Sequence, residues 1–497
     1  MKINWSLKKL KSKEVTPYLV LGLILLIGFY FRTYKIVQLY SFAHDHDLFS
    51  WIVKDIWVNK HFRLIGQETS VDGIYIGPLF YYLLVPFFAL FNLDPLSAAI
   101  PTTIIGLLTI FSFYFVVSKF FGRIAGLIAS FLYAVSISNV FFDRWVVPSQ
   151  PTILWSIWYL FALLSIIKPK EKLKVLPLVG LLIGLIWHIH IALVPLLLLL
   201  PISLIISRKK IKPSELVIPF FILLVLTSPF WLFELRHHFN QFKGFFKSLT
   251  YQKAAAQGFY RLQKVFDQAS GYLLANLFPG LRLPNLLNSI PFIFISLYGL
   301  KNKLFSKKQL MIFASWIVLT LLGQFFSKRP MSEYYFVNIS VITITLFSLF
   351  LARFYSLRRE KILVIAFLII FALFNFDQLS KRSQLPDGYL AKRGIVEFIK
   401  QDALYNNYPC ISVNYISDFG RGVGFRYFFW WQGLKLIEPG RGAPVYNIVI
   451  PAELSPDEVK ITFGNLGVIL PKKTVFQDES VCNNPQNQLQ PMLGFVN

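Results

Sequence analysis

Long apolar stretches recur along most of this chain, and short loops rich in lysine and arginine separate them. Of its 497 residues, 55% are hydrophobic and only 15% are charged. A soluble protein of this length could not bury so much apolar surface in one core, so lipid must form part of its solvent. The pattern therefore predicts an α-helical polytopic membrane protein.

The basic loops determine the predicted topology. Lysine and arginine number 50 against 25 aspartate and glutamate residues, an excess also found in nucleic-acid-binding proteins. Here the excess falls in short loops, as expected of cytoplasmic loops, and this argues against a nucleic-acid partner. Two spans between successive loops give about eleven transmembrane helices, a cytoplasmic N-terminus and an external C-terminus. The basic loops lie at residues 8–13, 119–123, 168–174, 208–212, 301–308 and 353–361.

Three regions follow from this topology. Residues 1–16 are predicted to form a basic cytoplasmic N-terminus, residues 17–376 the transmembrane domain, and residues 377–497 a small extracytoplasmic α/β domain. The last region contains the strand-like segments CISVNYI, VYNIVI and LGVIL and the amphipathic segment AKRGIVEFIKQDA. The first apolar run lacks a small-residue cleavage site and is expected to remain as a membrane span.

An outer loop at residues 33–95 contains the apolar run GPLFYYLLVPFFALF at 77–91. Its roughly fifteen residues are marginal for crossing a hydrocarbon core of ~30 Å. If this run crossed the membrane, the basic loop at 168–174 would move to the outside, against the charge rule. We therefore predict a re-entrant or interfacial helix here.

Both cysteines, Cys410 and Cys482, fall in the C-terminal domain. They allow one intramolecular disulfide, which would close a loop of ~72 residues and stabilise the fold by roughly 3–5 kcal/mol. Two unpaired buried thiols are the alternative, and the sequence leaves both open.

An acidic motif directly follows the first apolar run. The segment YSFAHDHDLFSWIVKDIW at 40–57 places Asp45 and Asp47 among histidine and aromatic side chains. A carboxylate in such a setting loses hydration, which costs free energy unless another group uses the charge. The motif therefore predicts a functional role for Asp45. Other polar residues from distant segments reach the same predicted face, as an active site requires.

The order of the motifs resembles a known family. A first span ending in FRTY, the acidic motif, the run GIYIGPLFYYLLVPFFALF, a basic FGR turn between two spans, and then DRWVVPSQP and PFWLFELRHHF follow one another. This order resembles the bacterial GT-C glycosyltransferases related to the protein O-mannosyltransferases and to the aminoarabinose transferase of lipid A. The resemblance covers residues 17–377.

The resemblance implies transfer of a hexose or pentose from a polyprenyl-phosphate donor to a cell-envelope glycan, lipid or protein, at the outer face of the plasma membrane. Asp45, with Asp47 as second candidate, would act as general base or hold a divalent metal such as manganese or magnesium. Basic side chains would bind the leaving phosphate, namely Arg144, Arg236, Lys328 and Arg329. The acceptor or sugar pocket would include Glu68, Asp72, His188, His190 and Tyr334.

Two alternatives share this composition. A transporter or flippase of lipid-linked sugars would place charges along a translocation path, often within repeated halves. Here the ionisable groups cluster at helix ends on one side, which favours an enzyme. A ligase that moves a whole glycan would use the same chemistry on a larger donor.

Overall fold

The computed structural model describes residues 12–69, 73–168, 173–249, 258–281, 285–327, 331–418, 422–472, 479–489, 492 and 495. Its α-helices are α1 (Ser12–Thr33), α2 (His44–Trp57), α3 (Leu79–Leu90), α4 (Ala99–Phe121), α5 (Arg123–Val135), α6 (Ile137–Arg144), α7 (Thr152–Ile167), α8 (Leu176–Ile189), α9 (Leu199–Ser207), α10 (Pro213–Arg236), α11 (Asn240–Leu249), α12 (Gly258–Ala275), α13 (Ile290–Lys301), α14 (Lys307–Phe326), α15 (Ser340–Tyr355), α16 (Glu360–Ser380), α17 (Tyr389–Tyr405) and α18 (Arg426–Trp431). The strands are β1 (Ser412–Ser417), β2 (Val445–Ile450), β3 (Ile461–Phe463) and β4 (Leu466–Ile469).

The chain forms two compact units. The first, which we call the helical unit, consists of residues up to Tyr34 together with Thr102–Arg144 and Pro148–Ser380. The second, the mixed unit, consists of Lys35–Pro101, Trp145–Val147 and the chain from Lys381 onward. The predicted outer loop and the C-terminal region thus belong to one unit, although some 280 residues of sequence lie between them.

The helical unit contains the candidate membrane spans. Among the described residues, six helical stretches are long and apolar enough to cross a membrane, and α5 with α6 make a seventh if this pair, bent by 64°, is one span. Four shorter apolar helices of the same unit would also have to cross to reach the predicted eleven, so that number stays a prediction. The six stretches are Thr16–Thr33, Pro95–Phe121, Pro213–Arg236, Lys307–Phe326, Tyr334–Tyr355 and Glu360–Ser380.

The surface of the helical unit confirms that this is a multi-pass membrane protein. On α10, Val217, Phe220 and Phe221 each leave 64–65% of their area exposed, although water would disfavour so large an apolar surface. At the break between α5 and α6, the N–H of Ile137 donates to Asn375 Oδ1 of α16 over 2.9 Å. A backbone donor freed by the bend is thereby satisfied inside the protein, as a lipid environment requires.

The mixed unit is built on a four-stranded sheet with the order β1-β2-β4-β3. β1 and β2 are parallel, with Ser412 opposite Val445, whereas β4 is antiparallel to both β2 and β3. A parallel pair needs a crossover, and α18 lies in that crossover. Cys410 and Cys482 form a disulfide in this unit, with a Cα–Cα distance of 5.7 Å.

One apolar core joins the two chain segments of the mixed unit. Phe49 of α2 and Phe88 of α3 belong to the same buried cluster as Phe428 of α18 and Tyr446 of β2. The apolar run predicted to be re-entrant or interfacial is α3, whose twelve residues extend ~18 Å at 1.5 Å per residue. That length is too short to cross a hydrocarbon core.

Candidate active site

The Asp-His-Asp motif forms the first turn of α2. Ala43 precedes the helix in an extended conformation, and its N–H donates to His46 Nδ1 over 3.4 Å. Burial lowers the pKa of His46 to about 3, so the ring is neutral and able to accept this bond. Asp45 and Asp47 both lie where the positive end of the helix dipole favours a carboxylate.

Asp45 is half-buried and accepts no hydrogen bond from any residue that the structure describes. Burial raises its pKa, and the electrostatic interaction with His44 opposes that shift. Burial raises the pKa of the Tyr81 phenol in α3, and the nearby charge of Asp45 raises it further. A carboxylate with a raised pKa and no hydrogen-bond donor among the described residues is suited to accept a proton from a hydroxyl group.

Asp47 is buried and has a partner. Its Oδ1 accepts the backbone N–H of Tyr427, in the first turn of α18, over 2.9 Å. Burial raises its pKa to about 6, opposed by that hydrogen bond and by the charges of Lys392 and Arg426. The Nζ of Lys392 donates to the carbonyls of Phe42 and Val423 over 2.6 and 2.7 Å. Asp47 therefore fastens α2 to α18.

This contact predicts different outcomes for two substitutions. Asp47→Asn keeps an acceptor oxygen for the N–H of Tyr427, whereas Asp47→Ala leaves that buried donor unpaired, at about 1–3 kcal/mol. Both variants remove the charge near Lys392, so their difference reports the hydrogen bond together with the packing of the amide group. We expect Asp47→Ala to lower the unfolding midpoint of the purified protein well below that of Asp47→Asn, measured by tryptophan fluorescence on heating. Equal midpoints would show that the bond contributes nothing.

The two carboxylates do not form a shared metal site. Side chains two residues apart on a helix do not face each other, and one Asp47 oxygen is already bound to Tyr427. Among the described residues, no three histidine, cysteine or acidic side chains converge as ligands of a metal ion. We therefore derive no catalytic step through manganese or magnesium.

The other two acidic candidates of the first loop are Glu68 and Asp72. Glu68 Oε1 accepts the N–H of Gly73 over 2.6 Å, and Glu68 pairs with Tyr75 in an antiparallel bridge. This carboxylate therefore closes a short hairpin. Asp72 lies outside the described residues.

In the helical unit, Arg144 binds the end of α1. Its Nε donates to the carbonyl of Arg32 over 2.8 Å and its Nη2 to the carbonyl of Tyr34. These carbonyls lack partners within the helix, so Arg144 acts as a C-terminal cap. Its Nη1 is buried and has no hydrogen-bond partner among the described residues.

The structure brings together two members of the predicted sugar pocket. The ring centroid of His190 lies 5.5 Å from that of Tyr334 and 5.1 Å from that of Tyr335. His188 instead binds the carbonyl of Leu226 over 2.9 Å and so links α8 to α10.

The remaining candidates for binding phosphate are Arg236, Lys328 and Arg329. Arg236 is exposed at the end of α10. Lys328 and Arg329 lie outside the described residues.

Several polar residues at these sites were not predicted from the sequence. Tyr81, Lys392 and Arg426 surround the two carboxylates, and no motif singles them out. Arg32 is different, because an arginine near the end of an apolar run is itself a signal. It is fully buried and forms an ion pair with Asp143.

One protein-family model matches part of the sequence. The model of the family described as dolichyl-phosphate-mannose-protein mannosyltransferase matches residues 76–233. No protein of curated function matches the sequence as a whole or in part.

Solved structures match over nearly the full chain. ArnT from Cupriavidus metallidurans bound to undecaprenyl phosphate has a TM-score of 0.61 at 13% identity, over 91% of this chain and 97% of that one. The same protein in the apo state gives 0.60 at 13% identity, over 92% and 98%. The oligosaccharyltransferase of Archaeoglobus fulgidus gives 0.49 at 15% identity, over 84% and 64%.

The fold is thus ArnT-like over nearly the full chain. Together with the match to residues 76–233, it confirms the resemblance to the protein O-mannosyltransferase and aminoarabinose transferase type.

Proposed function

We propose that this protein is a membrane glycosyltransferase that moves a sugar from a polyprenyl phosphate to an acceptor hydroxyl of the cell envelope. The observation that carries the proposal is Asp45, a half-buried carboxylate of raised pKa without a hydrogen-bond partner among the described residues. It opens the first loop of an ArnT-like fold, and the undecaprenyl phosphate bound to ArnT supports a donor of that chemistry here.

The reaction follows from these groups. The acceptor hydroxyl gives its proton to the Asp45 carboxylate while its oxygen forms a bond to the anomeric carbon of the sugar. The bond between that carbon and the phosphate oxygen breaks, and its electron pair stays on the phosphate. Negative charge therefore grows on the leaving group, where positively charged side chains lower the barrier.

For that phosphate we propose the basic residues Arg144, Arg236, Lys328 and Arg329. Arg144 has the strongest structural support, because its buried Nη1 keeps a donor without a described partner. An anion would satisfy that donor through a charge-assisted hydrogen bond. For the sugar we propose His190 and Tyr334, whose rings lie together. These two take priority over the remaining pocket candidates, which are Glu68, Asp72 and His188.

We further propose that the protein resides in the plasma membrane with its N-terminus in the cytoplasm and its C-terminus outside. This orientation rests on the basic loops. It predicts that alkaline phosphatase fused after Asn497 is active, whereas a cytoplasmic fluorescent reporter fused there is dark. A fusion after Lys308 should give the opposite result. Reversed activities would overturn the orientation.

The function is tested by incubating membranes that contain the protein with radiolabelled polyprenyl-phosphate sugars, hexoses and pentoses in turn. A transferase should release the label of at least one donor from the lipid fraction into an acceptor. Membranes containing Asp45→Asn serve as the matched control. If labelled lipid instead crosses the bilayer intact, the protein is a flippase and the proposal is wrong.

A further inference from the structure

The mixed unit contains a cavity that the proposed reaction does not use. Its volume is about 580 Å³, within the range of roughly 300–1,000 Å³ typical of small-ligand pockets. Described residues of α2 and α18 line one part of it, and residues of the C-terminal segment line another, including Leu489 and Met492.

Aromatic rings form much of the wall. Trp51 and Trp430 are both half-buried, and their ring centroids lie 5.7 Å apart at an interplanar angle of 50°. Phe495 contributes a third ring. The Nζ of Lys54 lies 5.7 Å from the Trp51 centroid and 5.3 Å from that of Trp430, so this cation packs on both rings.

The rest of the wall carries hydrogen-bonding side chains. Arg426, Lys435 and Gln488 line the cavity, and the Nζ of Lys435 also donates to Asn483 Oδ1 over 2.6 Å. Aromatic faces beside donors of this kind match a pyranose ring. One face of such a ring presents C–H groups that pack on an aromatic surface, while its rim presents hydroxyls that need hydrogen bonds.

The position of the cavity along α2 separates it from the proposed base. Trp51 follows Asp47 by four residues and shares its side of the helix, the side on which Arg426 approaches Asp47. Asp45 precedes Trp51 by six residues, a rise of ~9 Å along the helix. A saccharide packed on Trp51 therefore occupies a different position along α2 from the sugar that reacts at Asp45.

We propose that this cavity binds a saccharide unit of the acceptor remote from the hydroxyl that receives the transferred sugar. The acceptor is then an oligosaccharide or a molecule that carries one. This inference rests on the proposed transferase function. Binding at a remote unit positions the reacting hydroxyl and supplies free energy for the chemical step, so acceptors without that unit should react more slowly.

The test uses the full chain in phospholipid nanodiscs, since detergents with sugar head groups would compete for the site. The probes are maltose, cellobiose, lactose, chitobiose and α-1,6-mannobiose, and binding is measured by saturation-transfer NMR and by titration. At least one disaccharide should bind the unmodified protein. Trp430→Ala should weaken that binding by ~10-fold or more, because it removes a stacking surface.

Two further variants separate loss of the site from loss of the fold. Trp430→Phe retains an aromatic face and should bind more tightly than Trp430→Ala. Trp57→Ala removes an exposed tryptophan of α2, the helix that carries Trp51, and it should bind as the unmodified protein does. Unfolding midpoints identify any variant that has lost its structure, in which case the comparison rests on Trp430→Phe.

The results distinguish this inference from the function on which it rests. If labelled sugar leaves the donor lipid but no disaccharide binds, or if Trp430→Ala binds as well as the unmodified protein, the saccharide assignment is wrong and the transferase function stands. Binding of short peptides in place of saccharides would also overturn it. Disaccharide binding that depends on Trp430 supports the assignment even where none of the tested donors reacts.

Discussion

Asp45→Asn should reduce sugar transfer by at least ~10²-fold, the lower end of what a general base contributes. The substitution keeps the size of the side chain and removes the charge that accepts the proton. Asp45 accepts no hydrogen bond from the described residues, so its loss should leave folding and donor binding nearly unchanged. Release of label from a polyprenyl-phosphate sugar measures the rate, and Asp457→Asn, an exposed aspartate of the same unit, is the matched control.

The same role predicts the pH dependence of transfer. A base acts in its deprotonated form, so the rate should fall as pH decreases through the pKa of Asp45. Because burial raises that pKa, the fall should lie above the usual aspartate range near pH ~4. A rate that stays constant well below that range, or an Asp45→Asn variant of normal activity, would rule out Asp45 as the base.

Local sequence patterns predicted much of the secondary structure. The segments CISVNYI, VYNIVI and LGVIL coincide with β1, β2 and β4, and the amphipathic segment AKRGIVEFIKQDA lies within α17. Each segment is long enough for the periodic pattern of apolar residues to be recognised in the sequence. Strand β3 has only three residues, too few for an alternating pattern, and it was not predicted.

The long-range organisation could not be predicted in this way. Asp47 and its partner Tyr427 are 380 residues apart, and the bond involves a backbone N–H that no side-chain pattern marks. The same holds for the shared core of α2, α3 and the C-terminal sheet, because apolar alternation shows that a face is buried but not against what. Asp45, by contrast, could be identified from the sequence, because the aromatic residues that desolvate its carboxylate are its neighbours along the chain.

Asp143 and Arg144 of the segment DRWVVPSQP show what a local sequence pattern indicates and what it leaves open. Arg144 is predicted from the sequence to bind phosphate, and the structure gives both residues contacts with α1. Asp143 Oδ2 binds the Nε and Nη2 of Arg32 over 2.9 and 2.5 Å, and Asp143 Oδ1 accepts the hydroxyl of Tyr133 over 2.7 Å. An arginine in the first span and an aspartate near a later span are charges that need partners in a membrane, but this pairing was not predicted from the sequence.

The network around Arg32 is tightly enclosed. Its Nη1 donates to the carbonyls of Gly28 and Ala134, each over 3.0 Å. A Cβ atom at Gly106 of α4 would lie 2.5 Å from Arg32 Nε and 2.9 Å from Asp143 Oδ2, so glycine is needed for α4 to approach. The guanidinium and the carboxylate are 0% and 2% exposed, which leaves no route for water to replace a lost partner.

Asp143→Leu should therefore destabilise the protein strongly. Removing one partner of a buried ion pair leaves the other charge uncompensated, at about 3–5 kcal/mol. The hydroxyl of Tyr133 would lose its acceptor at the same time. We expect a large fall in the unfolding midpoint of the purified protein, measured by tryptophan fluorescence on heating, and a lower yield in membranes. Asp457→Asn again provides a control whose midpoint should not move.

The double variant Arg32→Met with Asp143→Leu identifies the cause. Replacing both charges by apolar side chains of similar size removes the uncompensated guanidinium, and such replacements of buried pairs are often neutral or stabilising. The double variant should therefore unfold at a higher temperature than Asp143→Leu alone, and its loss of stability should be smaller than the sum of the losses in Asp143→Leu and Arg32→Met. If the two substitutions are simply additive, Arg32 is held by the carbonyls of Gly28 and Ala134 rather than by Asp143, and the ion pair does not secure α1 to α6.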